Sequence, residues 1–139
     1  LIRPAPLPET LIEANPEGYL RSVMGSRSAG LKPFTDEAFS EYRRCLQQPG
    51  SARGICEDYR ASAGIDLEHD RADITANRHL NLPLRVLWGA EGTVGRCFDP
   101  LKEWQQVATN VTGQALPAGH YIAEEVPELL LAEALAFLR

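Results

Sequence analysis

Residues 82–89 read Leu82-Pro83-Leu84-Arg85-Val86-Leu87-Trp88-Gly89. This short apolar run ends on glycine and has the character of a parallel strand buried on both faces. Beyond it, Asp99-Pro100-Leu101 starts a helix with Leu101, Trp104 and Val107-Ala108 as its inner stripe. Gly113-Gln114-Ala115-Leu116 can form a second short strand, followed by the loop Pro117-Ala118-Gly119-His120-Tyr121. A last helix starts at Pro127, with Leu130, Ala134 and Phe137 among its apolar positions. The order strand, helix, strand, loop, helix is α/β layering.

The residues before this half read as helices. Prolines at positions 4, 6, 8 and 16 predict an irregular connection with short helical pieces at most. Asn15-Pro16-Glu17 is a helix start, with Asn as N-cap and Pro at the first helical position, and that helix runs to about Gly25. Thr35-Asp36-Glu37 starts another, with Phe39, Tyr42 and Leu46 at helical spacing, and Gln48-Pro49-Gly50 ends it. Ser51 begins a third, with Ile55, Tyr59 and Ser62-Ala63 on one side. Gly64 interrupts it before helical character resumes to about Asp70.

Two strands do not make a sheet that can bury both of its faces. A parallel strand of this kind needs neighbours on both edges and helices above and below, and an isolated two-stranded sheet is marginal in water. The expectation is a sheet completed by strands outside this chain. The sequence also opens on Leu1-Ile2-Arg3-Pro4, and its only methionine is Met24, which adds to the expectation of a chain that begins inside a larger protein.

The chain has 139 residues, 14 basic and 19 acidic, for a formal net charge of −5. That balance lacks the basic excess of a nucleic-acid binder. The longest apolar run, Leu129-Leu130-Leu131-Ala132, is far short of a membrane span, so neither nucleic acid nor membrane is an expected partner. Cys45, Cys56 and Cys97 are odd in number and widely spaced, which predicts small buried thiols in a reducing compartment, the cytoplasm, rather than a disulfide framework or a zinc knuckle. In Glu68-His69-Asp70, residues one apart on a helix point about 100° away from each other and cannot converge on a metal. No metal or cofactor is expected.

Four stretches, in this order, carry a resemblance: Pro4-Ala5-Pro6-Leu7-Pro8-Glu9; Cys56-Glu57-Asp58-Tyr59-Arg60-Ala61-Ser62-Ala63-Gly64 with Asp66 to Asp70; Val86-Leu87-Trp88-Gly89; and Ala118-Gly119-His120-Tyr121-Ile122-Ala123-Glu124-Glu125-Val126-Pro127. Together they resemble the C-terminal part of the haloacetate (fluoroacetate) dehalogenases of the α/β-hydrolase superfamily. The implied fold is α/β: residues 1–64 an incomplete helical cap segment, and residues 65–139 the last two parallel strands and the helices of the core.

The resemblance implies a reaction. In that group an Asp nucleophile displaces halide from the α-carbon of a haloacetate and forms an ester. A His activates water to hydrolyse the ester, a second acid orients the His, and the cap binds the leaving halide. His120 matches the general base, in the loop after the last strand where this fold places its His. An imidazole that titrates near neutral pH suits that task. Tyr59 matches the halide-binding tyrosine; the competing reading is a core aromatic with its hydroxyl satisfied locally.

Other parts of the pattern are absent. No Gly-x-Asp-x-Gly or Gly-x-Ser-x-Gly elbow occurs, and neither do the halide-binding His-Trp pair and the substrate-binding arginines, all expected upstream of Leu1. Many relatives, epoxide hydrolases among them, carry the triad acid after the Trp-Gly strand, where this chain has Gly92, which favours the dehalogenase side. Glu91 is the local acid that could substitute. The alternatives are an epoxide hydrolase or esterase of the same fold, or a catalytically inert truncated chain. The expected partners are a small haloacetate-like or epoxide substrate, the missing N-terminal part of the hydrolase and, as in many members, a second copy in a homodimer.

Overall fold

The computed structural model describes every residue except Ser28. The chain forms two compact units, one of Leu1–Gly25 with Phe34–Ala76 and one of Ser26–Pro33 with Asn77–Arg139.

The first unit is helical: α1 (Leu7–Ala14), α2 (Pro16–Gly25), α3 (Asp36–Leu46), α4 (Ser51–Ser62) and α5 (Ile65–Thr75). The predicted starts appear with their caps. The Asn15 side chain accepts from the Gly18 amide at 2.9 Å and the Thr35 hydroxyl from the Ala38 amide at 3.1 Å, each meeting one of the unpaired donors of a first helical turn. The proline-rich stretch becomes a true helix because Pro8 falls in the first turn of α1, where no amide donor is needed. Past Gly64 the unit continues through α5, which packs on α4.

The face that α4 buries is the one carrying Cys56, not the side of Ile55, Tyr59 and Ser62-Ala63. Ala52 and Cys56, one turn apart, are buried with Ile12 and Leu46, and Cys56 is 0% exposed. Ile55 only packs against this cluster, and Tyr59 is 48% exposed. Small side chains let α1 approach α4 closely, which the larger residues on the other side would prevent. Cys56 is the one buried thiol of the three; Cys45 and Cys97 are exposed. Burial pushes the Cys56 thiol up from its ordinary value, and the Glu9 carboxylate adds to the effect.

Glu9 is the buried charge of this unit, at 7% exposed. Its Oε1 lies 2.7 Å from Nη1 of Arg60, and neither carboxylate oxygen has a well-angled hydrogen bond. Arg60 also donates to the Arg3 carbonyl from Nε at 3.0 Å and Nη2 at 2.8 Å, and to Glu57 from Nη1 at 2.9 Å. Contact with Arg60 outweighs burial and holds the Glu9 carboxyl below the usual carboxylate range. A carboxyl depressed in the folded state adds stability above its unfolded value, and that stability is lost as pH falls through the folded value. Wild type is therefore expected to melt higher than Glu9→Gln at neutral pH, with the gap closing as the pH drops below the carboxylate range. Thermal melts across pH check this, and a gap that does not change with pH contradicts it.

The second unit alternates strand and helix: β1 (Leu80–Gly89), α6 (Thr93–Cys97), α7 (Pro100–Gln105), β2 (Ala108–Leu116), α8 (Ile122–Glu125) and α9 (Pro127–Phe137). Asp99 caps α7 by accepting from the Lys102 amide at 3.3 Å. Among the described residues β1 and β2 form a two-stranded parallel sheet, with Leu84 opposite Val111, Trp88 opposite Ala115 and Gly89 opposite Leu116. Its faces are partly open: Leu82 is 75% exposed and Val86 and Leu87 are half-buried, as follows when β1 is paired on one edge alone.

β2 begins earlier than the sequence predicts. Ala108, expected on the stripe of the preceding helix, is instead the buried first residue of the strand. The β-branched side chains of Thr109, Val111 and Thr112 favour extended backbone over another helical turn. The half-buried Glu133 of α9 accepts from Arg85 of β1 and from Nε2 of Gln114 of β2 at 2.6 Å, fastening the helix to both strands.

Candidate active site

Parallel strands end on the same side of their sheet, and the loops that leave those ends are where α/β folds bind ligands. Here the two loops are residues 90–92 after β1 and 117–121 after β2. They are locked by backbone hydrogen bonds: the Ala90 amide donates to Leu116 at 2.9 Å, the Glu91 amide to Ala118 at 3.0 Å and the Ala118 amide to Leu116 at 2.7 Å.

Glycine makes this contact close. A Cβ on Gly89 would overlap the Gly119 carbonyl oxygen and crowd that of Ala118. At Gly92 a Cβ would stand 3.0 Å from the same Gly119 oxygen. The Trp-Gly ending of β1 is therefore a packing requirement of the His loop.

His120 sits at the outer end of this arrangement and is exposed. It borders a cavity of about 240 Å³ whose walls include Trp88, Gly92, Thr93, Trp104 and Gly119. The Tyr121 ring stands edge-on to the imidazole, with centroids 4.8 Å apart. Among the described residues the imidazole makes no hydrogen bond, so no carboxylate of this chain, Glu91 included, orients it directly.

The backbone on either side of His120 is held by one side chain. Glu125, at the end of α8, accepts from the Gly119 amide through Oε2 at 2.7 Å and from the Tyr121 amide through Oε1 at 3.0 Å. Glu125 lies within the loop motif that carries the resemblance, which implies no task for it. The available signal was a carboxylate within reach of a turn whose amides no sheet or helix uses.

Tyr59 lies on α4 of the first unit and His120 in the second. Tyr59 is 48% exposed, and among the described residues its hydroxyl makes no hydrogen bond. His69 is exposed on α5 with Glu68 and Asp70 at successive positions. Among the described residues no group of three or more His, Cys, Asp or Glu could hold a metal, and no helix is long and apolar enough to cross a membrane.

No family profile matches the chain. Individual proteins do. It is 32% identical over 129 residues to a fluoroacetate dehalogenase of a Burkholderia species, covering 92% of this chain and 42% of that protein. It is also 32% identical over 130 residues to a soluble epoxide hydrolase of Corynebacterium sp. (strain C12), covering 91% of this chain and 43% of that one. Among solved structures, an assigned α/β-hydrolase from Nostoc sp PCC 7120 superimposes with a TM-score of 0.90 at 45% identity, over 99% of this chain and 46% of that one. The chain thus spans less than half the length of the proteins it matches. Parallel strands, a His loop jammed against a Trp-Gly strand end, and these likenesses together assign the chain the fold of the C-terminal part of an α/β-hydrolase and membership of that superfamily.

Proposed function

We propose that this chain provides the general base and part of the cap of a hydrolytic haloacetate dehalogenase. The observation that carries the reading is His120, held by a rigid loop at the carboxyl ends of the parallel strands and bordering a cavity. The nucleophile is an Asp outside the 139 residues, because no elbow motif occurs within them. Its carboxylate attacks the α-carbon as the carbon–halogen bond breaks, and halide departs with the bonding electrons. His120 then takes a proton from water, the resulting hydroxide oxygen attacks the ester carbonyl, and the imidazolium returns the proton to the departing alkoxide oxygen, so that a 2-hydroxy acid leaves as the Asp and the neutral His120 are regenerated. Tyr59, with its hydroxyl uncommitted, donates a hydrogen bond to the departing halide.

A second reading, epoxide hydrolysis on the same fold, is supported by the equal identity to the Corynebacterium enzyme. Gly92, where that reading calls for an acid, favours the dehalogenase. The three free thiols fit a reducing, cytoplasmic setting, and a homodimer is the proposed assembly.

Substrate assays on the protein at its full coding length separate these readings. Halide release from fluoroacetate or chloroacetate is the expected result. Ring opening of styrene oxide without halide release would establish the epoxide reading, and hydrolysis of p-nitrophenyl acetate alone would mean a Ser nucleophile and an esterase. The 139-residue chain alone is expected to be inactive, and turnover by it would overturn the placement of the nucleophile.

A further inference from the structure

We infer that Glu125 is a positioning residue for the base: its carboxylate sets the backbone of the His120 turn and thereby the direction of the imidazole. The inference rests on the reading of His120 as base and adds what holds that base in place. The two amides that flank His120, those of Gly119 and Tyr121, both donate to this one carboxylate, at 2.7 Å and 3.0 Å. A ring closed through both neighbours restrains the torsions on either side of the His120 Cα. On the inner side Gly119 has no room to retreat, because its carbonyl already lies against Gly89 and Gly92. Glu125 therefore grips from one side a turn that β1 blocks on the other.

The charge matters as well as the reach. An ionised carboxylate accepts through both oxygens, and such bonds are shorter and stronger than neutral ones. Glu125 is half-buried, which limits screening by water. A glutamine there keeps one acceptor but turns an NH2 group toward an amide donor. Glu125→Gln thus breaks one bond and opposes two donors with no change in side-chain volume.

The test separates the two chemical steps in the full-length protein. Ester formation does not use His120, whereas ester hydrolysis does. Single-turnover kinetics with chloroacetate should show Glu125→Gln slowing ester hydrolysis by about 10- to 100-fold, the scale of a base displaced by roughly 1 Å. Ester formation and KM should stay near wild type. Amide exchange at Gly119 and Tyr121, read by mass spectrometry without any turnover, should quicken. Glu125→Asp keeps the charge on a shorter stem and should fall between wild type and Glu125→Gln, and it also stands in should the Gln variant fail to fold. Glu128→Gln, in the exposed first turn of α9, should leave both steps unchanged.

Equal slowing of both steps together with a lower melting temperature would overturn the inference, as would unchanged exchange at the two amides. Failure of the underlying reading looks different: His120→Ala would then retain full turnover whatever Glu125 does.

Discussion

His120→Ala is expected to slow turnover of haloacetate by about 10²- to 10⁴-fold, the range that a positioned general base contributes. The loss should fall on one step. Halide should still be released once per active site, since nucleophilic displacement needs no base, and the reaction should then stop at the ester. A burst of halide equal to the enzyme concentration, followed by a near-flat line, is the kinetic signature. The backbone bonds of the loop do not involve the imidazole, which is exposed, so the melting temperature should stay within a few degrees of wild type. Steady halide release at the wild-type rate would mean that another group activates the water.

Gly89→Ala is expected to be nearly as damaging by a different route. The added Cβ would meet backbone, the carbonyl oxygens of Gly119 and Ala118, and no side chain can rotate away to relieve the overlap. The loop of residues 117–121 must move, or the end of β1 must. Either shift breaks the bonds from Ala90 to Leu116 and from Glu91 to Ala118 that join the two loops. Overpacking of this kind costs about 1–3 kcal/mol of stability. Turnover should fall by about 100-fold from misplacement of His120 alone. Like His120→Ala, this variant should lose ester hydrolysis rather than ester formation, but unlike it the variant should also lose melting temperature, because strand end and loop move as one. Wild-type turnover in Gly89→Ala would show that the close packing of Gly89 on the loop is dispensable.

The parts of this structure that are legible in the sequence are those governed by local rules. Asn15, Thr35 and Asp99 cap helices because a short polar side chain reaches a free amide two or three residues on. The run from Leu82 to Gly89 forms a strand ending where glycine is required. What was missed depends on residues distant in sequence. Tyr59 and Ile55 outrank Ala52 and Cys56 in size, yet the inner face of α4 goes to the smaller pair because Ile12 of α1 must fit against it. Glu9 would count as a surface acid, and its burial depends on Arg60, on a different helix. The start of β2 at Ala108 is decided by pairing with Leu80, which no window around residue 108 contains. At the site, the motif around His120 was readable and its support was not: Glu125 acts on amides, and a backbone donor leaves no mark in a sequence. The α/β order emerged from alternation of strand and helix; the open faces of β1 bear out the expected shortage of partners for the sheet among the described residues.

The most direct measurement is the intact mass of full-length His120→Ala protein after reaction with chloroacetate. The expected result is stoichiometric gain of one carboxymethyl group, carried as an ester on an Asp outside the 139 residues and released by mild base. An unmodified protein that nonetheless turns over chloroacetate at the wild-type rate would contradict the assignment of His120 as the base.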